Sequence, residues 1–254
     1  MNSPAPNALY GQLVLLDRHQ HRLRRLRPEA DRAAAGRMNA VFCAAAEFAE
    51  ACKTFPLFFI RSGETDAQGQ AVITPVALLG LEAGENLFVD DGVWTAPYEP
   101  AFLRRYPFVL ADARQDDGQS TQAVAFDAAC TSLVEEGPGE RLFDDFGEPT
   151  PYLDQVLQFL KDFEAAVQIT RPIGAHLQGL GLLKEMRAQG TLTNGERFTV
   201  EGFLVVDEEK LRALPDETVL SMHRGGLLAL VHAHLVSLSN LSRLVDRKSA
   251  RRRA

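Results

Sequence analysis

The sequence predicts an α+β fold, with antiparallel strands and hairpins in the first half packed against helices mainly from the second half. Three observations carry that reading. A chain of 254 residues, 46% hydrophobic and 24% charged, closes a sizeable core. Before residue 150, apolar, β-branched and aromatic runs alternate with polar turns, the pattern of strands. After it, apolar residues recur at spacings of three and four, the period of a helix. One domain over 1–254 is expected, and the change of character leaves room for a strand-rich lobe, 1–149, and a helix-rich lobe, 150–254.

Taken in order, a helix is expected to end near Lys53. Phe55–Arg61 and Ala71–Leu81, separated by the polar segment Gly63–Gln70, read as a hairpin. Asn86–Val89 and Val93–Thr95 flank Asp90-Asp-Gly92 as a second hairpin, and Ala123–Phe126 adds a short strand. Gln115–Thr121 and Glu135–Glu140 read as exposed turns. Thr150-Pro151 starts a helix, with threonine as N-cap and proline in the first turn, where its missing N–H costs nothing. Its apolar face is Leu153, Val156, Leu157, Leu160, Phe163 and Val167. Thr193-Asn-Gly-Glu196 is a hairpin signal, and Phe198, Val200, Gly202, Leu204 and Val206 alternate along the outgoing strand. Asp207 caps a short helix whose first turn carries Glu208 and Glu209. A final helix, capped by Asp216 after Pro215, is expected to run to about Val245.

Charge bounds the partners. The balance is 27 basic against 34 acidic residues, or −7, which argues against a general nucleic-acid binder. Five arginines crowd Arg18–Arg27 and five basic residues crowd Arg247–Arg253, so residues 28–246 keep 17 bases against 33 acids, or −16. The basic ends either touch an anionic partner, or the first pairs with the acidic body while the tail frays. Cys43, Cys52 and Cys130 sit at no metal-ligand spacing and read as reduced, packed thiols. The longest apolar runs stop short of the ~18–20 residues of a membrane span, and Met1–Pro6 lacks the charge of a signal peptide. The default expectation is therefore a soluble cytoplasmic protein; leaderless export would escape this test.

His223, His232 and His234 share one expected helix, but His232 and His234 point about 160° apart and cannot chelate one ion from it. His234 falls on the apolar stripe Leu227, Val231, Leu238, Leu241, Val245, as a core histidine donating to a buried carbonyl or carboxylate does. Arg104-Arg105-Tyr106 lies between aromatic residues, so two guanidinium forks are placed to clamp a carboxylate or phosphate, or to pair internally and pack on rings. Asp144, Asp145 and Glu148 share a loop without the alternating acids of a calcium loop, and read as a turn. No Gly-x-Gly-x-x-Gly, phosphate-binding Gly-Lys-Ser/Thr loop, Gly-x-Ser-x-Gly or His-Glu-x-x-His motif occurs, so no cofactor or metal is expected, and the reading leans away from an enzyme.

A family likeness emerges from Ala77-Leu-Leu-Gly-Leu81, Asn86-Leu-Phe-Val89, Gly92 with Trp94, Tyr98-Glu-Pro-Ala101, Arg104-Arg-Tyr-Pro-Phe108, Leu142-Phe-Asp144, Gly147-Glu-Pro-Thr150, Val206-Asp-Glu208 and Ala233-His-Leu235. In that order and spacing the chain resembles the bacterial SapC family over nearly its whole length. The resemblance implies an association with a paracrystalline surface layer and carries no catalytic residue onto this chain. Three readings follow. The leading one is a non-enzymatic accessory or interaction protein of surface-layer or cell-envelope biogenesis, with an envelope- or secretion-related protein partner. The second is a small-molecule binder or enzyme using Arg104 or Arg105 as an anion clamp near Trp94, Tyr98, Tyr106 and His234. The third is a structural component of the layer.

Overall fold

The computed structural model describes residues 9–27, 32–114, 120–191, 195 and 197–251. Met1–Pro6, most of the turn expected at Gln115–Thr121, residues Thr193, Asn194 and Glu196 of the second expected turn, and Arg252 and Arg253 lie outside the described residues. In chain order the first elements are β1 (Leu13–Leu15), β2 (Arg25–Leu26), β3 (Ala40–Phe42), α1 (Phe48–Ala51), β4 (Leu57–Thr65), β5 (Ala71–Leu78), β6 (Val89–Asp90), β7 (Val93–Trp94) and α2 (Ala101–Arg104). Then follow β8 (Phe108–Arg114), β9 (Ser120–Asp127), β10 (Leu133–Val134), β11 (Glu140–Arg141) and α3 (Pro151–Gly179). The chain continues through β12 (Leu183–Thr191), β13 (Arg197–Val206), α4 (Glu208–Arg212), α5 (Asp216–Arg224), α6 (Leu227–Ser237) and α7 (Asn240–Arg251).

The fold is α+β, built on a five-stranded antiparallel sheet in the order β12-β13-β4-β5-β3, so strands from both halves of the sequence share one sheet. The β4–β5 hairpin turns where Asp66 Oδ1 accepts from the backbone N–H of Gln68 at 2.9 Å and of Gln70 at 2.8 Å. Asp91 and Gly92, with φ of 45° and 77°, make the two-residue left-handed turn between β6 and β7. Two smaller sheets, β1-β9-β8 and β10-β2-β11, stand beside the large one. Strand β8, at the edge of its three-stranded sheet, has no counterpart in the sequence reading, and α1 is a single turn that ends at Ala51, close to the helix end expected near Lys53.

The 29-residue α3 begins as its sequence dictates: Thr150 Oγ1 accepts from the Leu153 N–H at 3.3 Å, with Pro151 in the first turn. It buries Leu153, Leu160, Phe163 and Leu177. At Gly174 the helix lies so close to β5 that an added Cβ would stand 2.1 Å from the Ile73 carbonyl oxygen. Gly174→Ala is therefore expected to destabilise by about 2 kcal/mol, although alanine is the better helix former. Urea denaturation checks this, and a variant as stable as the parent would show that helix and strand are not in this contact.

Two expectations are corrected. The alternation along β13 does not keep Leu204 and Val206 on the face of Phe198 and Val200. Met186 pairs with Phe203 and Ala188 with Val200, so Glu201 and Gly202 oppose the single residue Arg187. Gly202, at φ 85°, absorbs this bulge and shifts the phase by one residue. Phe198, Val200, Phe203 and Val205 consequently enter one core cluster, and Leu204 and Val206 another. The final helix is also divided. Gly225-Gly226, with Gly226 at φ 77°, ends α5, and a second break after Ser237 separates α6 from α7. The α5 N-cap position is Pro215, and Asp216 stands in the first turn. The stretch Leu227–Arg251 meets the length and composition of a membrane-crossing helix, where none was expected; here it forms the two helices α6 and α7, whose buried faces carry His234, Ser237, Asn240 and Lys248.

Candidate functional site

The Arg104-Arg105 pair is aimed by a buried carboxylate far away in sequence. Glu47 Oε1 accepts from the Tyr98 hydroxyl and from the Ala101 N–H, both at 2.6 Å, while Oε2 accepts from the Ala44 N–H at 3.0 Å. This fixes the first residue of α2 and hence the two arginines at its end. Burial and the Glu47 hydrogen bond hold the Tyr98 hydroxyl well above the ordinary tyrosine pKa. Trp94 braces the same loop from behind: its Nε1 donates to the Tyr98 carbonyl at 3.0 Å, and its ring stacks on Phe88 with centroids 5.8 Å apart.

Beside α2 lies a cavity of about 280 Å³ lined by Arg27, Arg32, Arg104 and Arg105, with Tyr106, Tyr152, Phe159 and, as the single acid among the described residues, Glu140 in its walls. The four cations are not equivalent. Arg32 is committed to Glu99, Nε to Oε1 at 2.6 Å and Nη2 to Oε2 at 3.1 Å. Arg104 is exposed, its Nε donating to the Glu99 carbonyl at 3.0 Å and its guanidinium lying 5.8 Å from the Tyr98 ring and 5.2 Å from that of Phe159. Arg105 is only 9% exposed. Its guanidinium lies 4.4 Å from the Phe102 ring, 4.8 Å from Phe163 and 5.6 Å from Tyr10. Its Nε is buried without a hydrogen-bond partner. Among the described residues no carboxylate lies at ion-pair distance from Arg104 or Arg105. Burial pulls the Arg105 pKa below the usual arginine value, against the opposing attraction of Tyr10 and Glu164, and pushes the neighbouring Tyr10 up to about 12.

Tyr106 lines the cavity and donates to Asp127 Oδ2 at 3.2 Å. Burial pushes Asp127 upward, but the N–H groups of Gln12, Gly11 and Ala129 outweigh it and hold its pKa below the aspartate value. Of the six residues singled out by sequence, the structure thus brings Arg104, Arg105 and Tyr106 to one cavity, sets Tyr98 against Arg104, and places Trp94 behind the loop.

His234 stands elsewhere and lines neither this cavity nor the larger one beneath α3. Fully buried in α6, its Nδ1–H donates to the Leu57 carbonyl at 2.8 Å and its Nε2 accepts from the Val206 N–H at 3.1 Å. Burial lowers its pKa to about 4, against the hydrogen bond to Leu57. His232 points to solvent from the opposite side of the helix.

Arg32, Tyr152 and Phe159 escaped the sequence reading, which had marked Arg27 only within the basic run Arg18–Arg27 as a contact for an anionic partner. The rest of that run meets the protein's own body: Arg24 pairs with Glu135 at 3.3 Å, Arg18 with Glu148 at 3.6 Å, and Arg25 donates to the Gly137 carbonyl at 2.7 Å. At the other end the expectation of a frayed tail is corrected as far as Arg251. Lys248, 1% exposed, sits between Glu82 at 2.7 Å and Glu85 at 3.2 Å, while Arg247 packs over Phe88 and Arg251 donates to the carbonyls of Asn86 and Val89. In the acidic loop, Asp144 Oδ1 accepts from the Phe146 and Glu148 N–H groups at 2.8 and 2.9 Å, which makes it a turn.

No curated protein and no solved structure matches the chain. A family model does, over residues 16–244, a span that holds every wall of the arginine cavity as well as the whole of the large sheet; the chain belongs to the SapC family.

Proposed function

We propose that this SapC-family chain is a binding protein for a small anion, a carboxylate or phosphate held in the arginine cavity by Arg104 and Arg105. One observation carries the reading: an arginine only 9% exposed, with a buried, unsatisfied Nε and no carboxylate partner among the described residues. A buried cation without a counter-ion costs several kcal/mol, a cost offset when an anion arrives with two parallel hydrogen bonds. Isothermal titration with acetate, succinate and inorganic phosphate tests the proposal. At least one is expected to bind, and Arg104→Glu, at an exposed position, is expected to weaken binding at least tenfold while changing stability by under about 1 kcal/mol. Absence of binding by all three anions at millimolar concentration would overturn it.

A second reading, an accessory protein of surface-layer or cell-envelope biogenesis that works through a protein partner, is supported by the family and by Phe146. This ring is 90% exposed, held outward by the Asp144 turn and flanked by Arg22, whose Nη1 reaches the Asp145 carbonyl at 3.4 Å. An exposed aromatic on a fixed turn beside an arginine has the chemistry of an interface anchor. The default location is the cytoplasm. A tagged pull-down from fractionated cells tests both points, with Phe146→Ser expected to lose a partner that the parent retains.

A further inference from the structure

We propose that the anion is the head of an amphipathic ligand, an aliphatic carboxylate whose tail lies in a second cavity between α3 and the five-stranded sheet; this rests on the reading of Arg105 as the anion site. The second cavity holds about 850 Å³, near the upper end of the range for small-molecule sites. Its walls are chiefly apolar: Val41 and Phe42 from β3, Ile60 from β4, Val76 from β5, and Phe163 and Val167 from α3. Among the described residues, Arg105 is the one that lines both this cavity and the arginine cavity.

Charge pairing orients the ligand. Three arginines line the larger cavity. Arg61 is taken by Glu185 at 3.1 Å and Arg171 by Glu64 at 3.1 Å, whereas Arg105 has no such partner among the described residues. Of the acids on the same walls, Glu64 is spent on Arg171, and Glu201 lies 3.5 Å from Arg187. Glu164 attracts Arg105 from beyond ion-pair distance and Arg104 stands beside it, so the head end keeps one uncompensated positive charge among the described residues, which one further negative charge neutralises and two overshoot. A carboxylate monoanion therefore fits better than a dianionic phosphate, and its alkyl chain leads away from Arg105 past Phe102 and Phe163 into the apolar space.

Titration of the full chain with acetate, octanoate, decanoate and laurate below their micellar concentrations tests this. The expected result is a rise in affinity of roughly fourfold per added methylene across the longer acids, the ratio for burying one CH₂. Val167→Trp, which narrows the cavity from the α3 side, should reduce the gain with chain length more than it changes acetate binding, with melting behaviour as the control for folding. Arg105→Met should weaken every member of the series. If short anions bind but lengthening the chain brings no gain, the amphipathic ligand is excluded and the anion site stands. If no acid of any length binds, the amphipathic ligand is excluded, and the anion site falls with it when succinate and inorganic phosphate also fail to bind. A gain that survives Arg105→Met would place the head elsewhere and overturn the proposal, and should Val167→Trp fail to fold, the chain-length series on the parent protein still decides.

Discussion

His234→Ala is expected to destabilise the protein by about 4 kcal/mol and to remove most of the loss of stability that the parent suffers on mild acidification. The imidazole does the work of a missing strand. Where β13 and β4 diverge, they keep only the pairing of Leu204 with Phe59, and His234 then bonds Leu57 O on one strand and Val206 N on the other. Ser237 on the same helix face completes the set by accepting from the Leu57 N–H at 2.9 Å. Truncation leaves two buried backbone groups without partners, each worth ~1–3 kcal/mol, and opens a cavity. His234→Phe, which fills the space and deletes both bonds, should still cost about 3 kcal/mol, separating the bonds from the packing.

The pH dependence follows from the same geometry. The folded pKa of His234 is about 4, below the unfolded value of about 6.5. Between those values the unfolded chain binds a proton that the folded one refuses, so stability rises with pH through this window and falls as pH drops through it. The span corresponds to about 3 kcal/mol for one fully buried site. Urea denaturation from pH 7.5 to pH 4.5 should show that slope in the parent and lack it in His234→Phe. Carboxylates held low, such as Asp127, contribute their losses at more acidic pH. A parent profile that is flat over the window would remove His234 from the account.

What the sequence made legible is what local chemistry decides. Thr150-Pro151, Asp90-Asp-Gly92 and Asp207 each fix a turn or cap within a few residues, and each appears as read. The failures have another source: they turn on strand register, pairing and packing, which residue types alone do not declare. Gly202 reads as one more position in an alternating strand until the register against β12 shows two residues facing one. Strand β8 is recognisable only through its pairing with β9. The division at Gly225-Gly226 was visible in the dipeptide, but the apolar stripe running through it masked the signal.

The site divides in the same way. The Arg104-Arg105 block announced two clustered cations, yet nothing near it in sequence told that Glu47 would aim them or that Arg27 and Arg32 would join them. Trp94, Tyr98 and His234 have the residue types of a binding pocket, but only packing reveals that Trp94 braces, Tyr98 flanks and His234 ties two strands.

Arg105→Met is expected to raise stability by about 1 kcal/mol while costing anion affinity at least thirtyfold, a pair of opposite effects that a structural arginine would not produce. Methionine matches the length of the arginine stem and packs well against aromatic rings, so the contacts with Tyr10, Phe102 and Phe163 largely persist. What disappears is a buried charge with an unsatisfied Nε, whose desolvation costs several kcal/mol. The attraction of that charge for three rings, ~0.5–2 kcal/mol apiece, offsets only part of the cost. Residues that lower stability persist where function requires them. Chemical denaturation and titration on the same preparation decide the matter. A variant that binds anions as the parent does but loses 2 kcal/mol or more would make Arg105 a core residue balanced by Glu164, and a variant that loses both would point to a collapsed cavity. A more stable protein that has lost its ligand would locate the anion site at this guanidinium.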